Sequence, residues 1–368
     1  MKYYLIAGEA SGDLHGSNLI KELRKLDPAC QVRCWGGDLM QQAGGELVKH
    51  YRDLAFMGFV EVVRNLRTIL QNLRFCKEDI LAFKPDVLVL IDYPGFNLRI
   101  AQWARKNGLR IIFYISPQVW AWKESRVKQI KECVDKMLVI LPFEMDFYKK
   151  WDYKVEYVGH PLVEVIDTWK AGGERKKISE KPLIALLPGS RKQEILKKLP
   201  IMLEVSRHFP AYDFVVAQAP GQEDAFYKEL LQPYTNVLSV RNETYRLLSQ
   251  STAALVTSGT ATLETALFGV PEVVCYKGSP VSYWIARRLV KIKYISLVNL
   301  IMDKEVVKEL IQDDLTVENL QHELDLLLHD PRRQQQLAHD YSALKDLLGK
   351  QGNASANAAR SIVDFMRG

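Results

Sequence analysis

The sequence predicts an α/β protein of two successive units, each a parallel sheet flanked by helices. Three observations carry this. At 368 residues and 48% hydrophobic content, the chain is too long for one ordinary core and apolar enough for two. Short continuous apolar runs such as Val87–Ile91 and Leu183–Leu187, each closed by a turn and followed by helical periodicity, are of the kind buried on both faces of a parallel sheet. The alternation pauses over residues 170–177, a polar stretch holding Gly172 and Gly173, and then restarts, as it would across a linker. The expected divisions are 1–168, 178–345 and a last helix, 346–368, that folds back on the first unit.

Composition narrows the classes. A net charge of +6 (50 Lys and Arg against 44 Asp and Glu) favours anionic partners such as phosphates or an acidic membrane surface. No basic block with interleaved aromatics resembles a nucleic-acid module, so no nucleic acid is expected. The cysteines, Cys30, Cys34, Cys76, Cys133 and Cys275, are odd in number and scattered, which points to a reducing compartment. Cys30 and Cys34 lack a second close Cys or His pair, no D-x-D sequence offers carboxylates for a divalent ion, and neither metal nor cofactor is expected. No apolar run is long enough for a signal h-region or a membrane span, so the expected place is the cytoplasm, peripheral to a membrane.

In the first unit, residues 3–7 read as a central strand and residues 8–16 as a glycine loop entering a helix that ends near Leu26. The loop is neither G-x-G-x-x-G nor a Walker loop. It carries Glu9 and Asp13, which would repel phosphate but suit sugar hydroxyls or a reacting proton; the competing reading is a solvated turn residue and a helix-start carboxylate. Strands are expected at 31–35 and 46–50. Residues 57–74 carry a wide apolar helical stripe that includes Val60, Val62 and Val63, either core-facing or lying on a membrane surface. Asp92 follows the strand Val87–Ile91, where open α/β sheets place chemistry, and is a credible general base or a plain Asx-turn before Pro94. The strand 110–115 delivers Ser116, Gln118, Trp120 and Trp122 beside a basic helix, read as an acceptor wall or as packing. A strand at 137–140 and a helix opening at residues 142–144 follow, and His160, between Gly159 and Pro161, reads as a hinge or cleft residue.

In the second unit, Gly189, Ser190 and Arg191 form a tight turn after Leu183–Leu187. An Arg at a helix start opposes the helix dipole, which suggests use as a phosphate clamp against the alternative of a plain surface residue. Strands near 214–217 and 237–240 lead to the apolar run 253–256, which stops at Ser258, Gly259, Thr260, Ala261 and Thr262 and launches a helix whose N-terminus suits a diphosphate. Glu264, one turn in, can reach sugar hydroxyls; the bland alternative is an N-cap at Ser258 or Thr260. A strand is expected at 273–276, and residues 282–293 form a basic aromatic helix that either meets lipid headgroups or is simply solvated. Asn299 interrupts the apolar run 295–301 and must find partners, and the chain from Asp303 to Arg367 is helical in pattern.

Two such units with loop-lined sheet edges describe paired Rossmann-like domains facing a central cleft, the glycosyltransferase B architecture. Six segments in order now resemble one family: 7–13 (AGEASGD), 57–62 (MGFVEV), 91–97 (IDYPGFN), 116–122 (SPQVWAW), 187–191 (LPGSR) and 257–264 (TSGTATLE). Together they resemble lipid-A-disaccharide synthases. The resemblance implies inverting transfer of 2,3-diacylglucosamine from UDP to the 6-hydroxyl of 2,3-diacylglucosamine 1-phosphate, at the cytoplasmic face of the inner membrane of Gram-negative bacteria, with oligomerisation left open. It implies required roles for Asp92, Arg191 and Asn299, an acceptor and lipid side holding Ser11, Asn97, Ser116, Gln118, Trp120 and the apolar residues Val60, Val62 and Val63, and a UDP-sugar site at Gly189, Ser190, Arg191, Ser258, Gly259, Thr260, Ala261, Thr262 and Glu264. Two positions depart from the family pattern: Val298 where Pro is common, and Gly95 where many members carry a second Asp.

Direct displacement at an anomeric carbon needs a base for the acceptor proton, here Asp92 with Glu9 as understudy, and positive potential for the departing UDP, here Arg191 with the amides of Ser258 to Thr262. Competing readings are another transferase or a UDP-sugar epimerase on the same scaffold, and a nucleotide-sugar binding protein without turnover. A nicotinamide oxidoreductase is disfavoured because no G-x-G-x-x-G follows a strand.

Overall fold

The computed structural model describes residues 1–54, 66–122, 124–173, 175–279 and 292–368. Two compact units emerge: Met1–Pro161 with Leu348–Gly368, and Leu162–Leu347.

The first unit is built on β1 (Lys2–Ala7), β2 (Gln31–Gly36), β3 (Glu46–His50), β4 (Val87–Ile91), β5 (Arg110–Tyr114), β6 (Lys136–Val139) and β7 (Glu156–Tyr157), in sheet order β3-β2-β1-β4-β5-β6-β7 with every pairing parallel. The apolar run of β4 is wholly buried, as a parallel strand covered on both faces must be. The strand order reverses between β1 and β4. The helix Ala354–Arg367 belongs to this unit: it packs on the helix Ala10–Leu26, the Asn353 side chain caps its first turn at 2.7 Å, and the Ser361 hydroxyl donates to Glu156 at 2.7 Å.

The second unit holds β8 (Leu183–Leu187), β9 (Asp213–Gln218), β10 (Val237–Arg241), β11 (Ser251–Thr257), β12 (Glu272–Tyr276) and β13 (Lys308–Ile311), again all parallel, in the order β10-β9-β8-β11-β12-β13. Here the reversal falls between β8 and β11. The helix Pro161–Ala171 packs in this unit, with Trp169 edge-on to Phe268 and Lys170 donating to the Leu267 carbonyl at 3.0 Å.

Two expectations change. The stretch from Asp303 is not helical throughout, because Lys308–Ile311 pairs with β12 as an edge strand. Four residues with a polar start leave no period by which to recognise a strand. The amphipathic stretch expected to end at Arg74 continues as a helix to Phe83. Its first part, with Val60, Val62 and Val63, lies outside the described residues, as does 282–291 of the basic aromatic stretch. Among the described residues no helix is long and apolar enough to cross a membrane.

Candidate functional site

In open α/β sheets the crevice at a reversal of strand order, beyond the carboxyl ends of the strands, is where ligands bind. Each unit presents one such end, and most of the expected residues fall on the two.

In the first unit the register pairs Ala7 with Ile91, which sets Glu9 and Asp92 on adjacent turns. The turns are pressed together: a Cβ on Gly8 would lie 2.3 Å from the Tyr93 ring, so only glycine fits. Asp92 and Tyr93 have φ of +45° and +50°, and Ile115, just past β5, has φ of +66°. Left-handed backbone at non-glycine residues is costly, most of all for a β-branched one, and its concentration at one sheet edge is a mark of function. The Asp92 side chain is half-buried, and its pKa is pushed up to about 7, first by burial and second by the negative charge of Glu9. A carboxyl titrating there is poised for proton transfer at neutral pH.

Asn97 has a different role from the acceptor contact expected of it. It is fully buried, and its amide nitrogen donates to the carbonyls of Asp92 (2.7 Å), Ile6 (3.3 Å) and Ile91 (3.3 Å), clamping both strand ends to the turn. Asp13 is likewise structural. Its carboxylate accepts from the backbone N–H groups of Gly37 (2.8 Å), Leu39 (3.2 Å) and Met40 (3.0 Å), capping the helix Asp38–Gln42.

The acceptor-side residues beyond β1 and β5 divide by exposure. Ser11 and Gln118 are exposed, Trp120 is half-buried with its ring edge-on to Phe143, and Ser116 is buried with its hydroxyl 2.6 Å from that of Tyr148. Behind them lies a residue that sequence reasoning missed. Glu144 is buried beside Ser116 and Trp120, accepts from the Leu141 N–H at 3.0 Å, and has a pKa pushed up to about 8 by burial. Its place in the first turn of the helix Glu144–Lys149 looks like ordinary dipole compensation, so nothing in the letters singles it out. His160 is buried, with its pKa pushed down to about 3 by burial and by His15.

In the second unit Val256 pairs with Leu187, so the turn at Gly189, Ser190 and Arg191 stands beside that at Ser258 and Gly259. Gly189 has φ of +110° and Gly259 of +145°, both glycine conformations. Arg191 is the N-cap of the helix Lys192–Ser206, exposed, with its guanidinium 2.7 Å from Glu194. Gly259 and Thr260 are exposed at the start of the helix Thr260–Phe268. The Thr262 amide donates to the Gly259 carbonyl at 3.2 Å and its hydroxyl to the same oxygen at 2.8 Å, so it does not present a free amide as expected. The N–H groups of Thr260 and Ala261, the first two of this helix, have no acceptor within the helix itself. Glu264 accepts from the Tyr245 hydroxyl at 2.9 Å, and burial pushes its pKa up to about 6.

Asn299 is fully buried and saturated. Its side chain donates to the Val307 carbonyl (2.8 Å) and Glu309 (2.9 Å) and accepts from the N–H groups of Val306 (2.8 Å) and Val307 (2.9 Å). Glu309 in turn accepts from the N–H groups of Ile295 and Ser296, both at 2.9 Å, and the Ser258 hydroxyl donates to the Ile295 carbonyl at 2.7 Å. Asn299 thus reaches the β11 turn through the loop it anchors. Val298 sits buried in the first turn of the helix Leu297–Met302, where the Ser296 side chain caps without help from a proline, and a Cβ at Gly95 would meet open space. Among the described residues no cluster of three His, Cys, Asp or Glu could hold a metal ion.

Comparison with known proteins agrees with this geometry. The UDP-GlcNAc 2-epimerase from Neisseria meningitidis, bound to UDP-GlcNAc, superposes with a TM-score of 0.69 at 14% identity over 100% of this chain and 99% of its own. The glycotransferase of kitacinnamycin superposes with a TM-score of 0.69 at 15% identity over 99% and 98%. At such identities the likeness shows the fold alone, one that an epimerase and a transferase share. Sequence is more specific: the lipid-A-disaccharide synthase of Syntrophus aciditrophicus (strain SB) is 38% identical over 368 residues, 97% of this chain and 96% of that protein. The family model described as Lipid-A-disaccharide synthetase matches residues 3–363, so that both strand-order reversals and the turns on them lie inside the match, and the chain belongs to that family.

Proposed function

We propose that the protein is an inverting, UDP-sugar-dependent glycosyltransferase that joins UDP-2,3-diacylglucosamine to 2,3-diacylglucosamine 1-phosphate, giving the β-linked disaccharide phosphate of lipid A biosynthesis and UDP. The observation that carries the reading is Asp92: a half-buried carboxyl at the reversal of strand order, on strained backbone, titrating near neutrality beside Glu9. Its carboxylate takes the proton of the acceptor 6-hydroxyl as that oxygen bonds to the anomeric carbon, and the bond from that carbon to the phosphate oxygen breaks with its electron pair leaving on UDP. Arg191 and the amides of Thr260 and Ala261 stabilise the departing diphosphate, and Glu264 accepts hydrogen bonds from the nucleotide sugar. Because the substrates carry acyl chains, we place the protein against the inner membrane at its cytoplasmic face. The exposed Leu70 and Leu81, on a helix that also exposes Arg67 and Arg74, support contact with an anionic lipid surface. The test is incubation with both substrates and mass analysis of the products. Disaccharide phosphate with stoichiometric UDP is expected. Tight UDP binding without product would leave a nucleotide-sugar binding protein. Arg191→Ala should weaken UDP by about tenfold, the loss of one charge-assisted contact.

A further inference from the structure

Lys198 lies two turns into the helix Lys192–Ser206, yet it is only 3% exposed. Its ammonium donates to the hydroxyl of Thr257, the last residue of β11. It passes beneath Gly189, where a Cβ would stand 3.5 Å from Nζ. The charge therefore sits under the junction of the two turns that meet at the strand-order reversal of this unit. Among the described residues no carboxylate lies within ion-pair distance of it, and Glu194, one turn earlier, is engaged by Arg191. Lysines normally carry their ammonium out to water, and a buried one whose facing carboxylate, Glu194, is shared with Arg191 is costly where a leucine would pack freely. The position makes sense if a fuller counter-charge than this shared carboxylate arrives with a ligand on the other side of the Gly189 and Thr257 backbone.

We propose that Lys198 is a positioning residue of the nucleotide site, a buried cation that acts through Gly189 and Thr257 to seat the diphosphate of a nucleoside diphosphate sugar and to hold it as it leaves. The inference rests on the reading of the second unit given above. Its features are a cation in a low-dielectric site, where charge acts more strongly than in water, and a diphosphate seat made of backbone amides. The charged and titratable groups facing Lys198 are Glu194 and Arg191 from its own helix and N-cap, and Cys275 from β12. Burial depresses its pKa, Glu194 and Cys275 oppose this, and Arg191 adds to it. A bound diphosphate raises that pKa, so binding takes up protons at alkaline pH and affinity falls as pH rises.

The experiment is calorimetric titration of the full chain with UDP and, separately, with uridine, at several pH values and in buffers of different ionisation enthalpy. Lys198→Met keeps the volume and removes the charge. It should weaken UDP by about tenfold or more, about 1.4 kcal/mol per tenfold, leave uridine binding unchanged, and abolish the alkaline proton uptake seen with UDP but not with uridine. A variant that binds UDP as the wild type does, with the same proton uptake, overturns the proposal while leaving the nucleotide reading intact. A wild type that binds no UDP overturns both. If the variant fails to fold, the wild type alone decides, because UDP binding without proton uptake beyond that of uridine also overturns the proposal.

Discussion

Replacing Glu9 with Gln should move the pH at which turnover rises without abolishing turnover. Asp92 is raised from 3.8 to about 7, with burial the larger cause and Glu9 the second. With its pKa at about 7, roughly a tenth of Asp92 is ionised at pH 6 and roughly nine tenths at pH 8. Activity that needs the carboxylate therefore climbs through this window. Removing the Glu9 charge takes away the smaller share, on the order of one unit, which corresponds to about 1.4 kcal/mol of differential interaction. The assay is kcat/KM for disaccharide formation between pH 5 and 9, because that ratio reports the free enzyme. In Glu9→Gln the acid limb should shift down by about one unit with the plateau retained, whereas Asp92→Asn should lose about 10²- to 10⁴-fold and the limb with it. An acid limb unmoved by Glu9→Gln would refute the electrostatic coupling. Loss of transfer in Glu9→Gln together with a retained limb in Asp92→Asn would exchange the two roles.

Other perturbations test the scaffold under the site. Asp13→Ala removes the shared acceptor of three backbone N–H groups and should cost about 2–4 kcal/mol by denaturant titration, with Asp13→Asn recovering part of it. Glu144 is raised from 4.5 to about 8, so the folded state holds a proton that the unfolded chain has released between those values, and this contribution to stability falls as pH rises through that window. Glu144→Gln should therefore raise the melting temperature more at pH 8 than at pH 5, and an equal effect at both would count against a protonated Glu144.

The placing of the candidate residues at strand ends and helix starts was legible because its signals are local. A continuous apolar strand ending at Asp92, a glycine turn ending at Arg191 and small residues at a helix start each declare themselves within a few positions, since strand burial, turn conformation and helix capping act over short separations. What the polar side chains do with their hydrogen bonds was not legible. Asp13 and Glu9 share one loop, but only the approach of the helix Asp38–Gln42 commits Asp13 to capping and leaves Glu9 beside Asp92. Asn299 stood out as an amide in an apolar run, yet its partners come from residues 306–309, which an edge strand brings alongside.

The sequence by itself determined the two α/β units, the strands at their centres and the family, because these follow from hydrophobic period, turn chemistry and segment order along the chain. Only the tertiary structure decided which charged and amide side chains are saturated inside the fold. Burial, hydrogen-bond saturation and pKa depend on neighbours far away in sequence, which is why Glu144 and Lys198 came to light only in three dimensions.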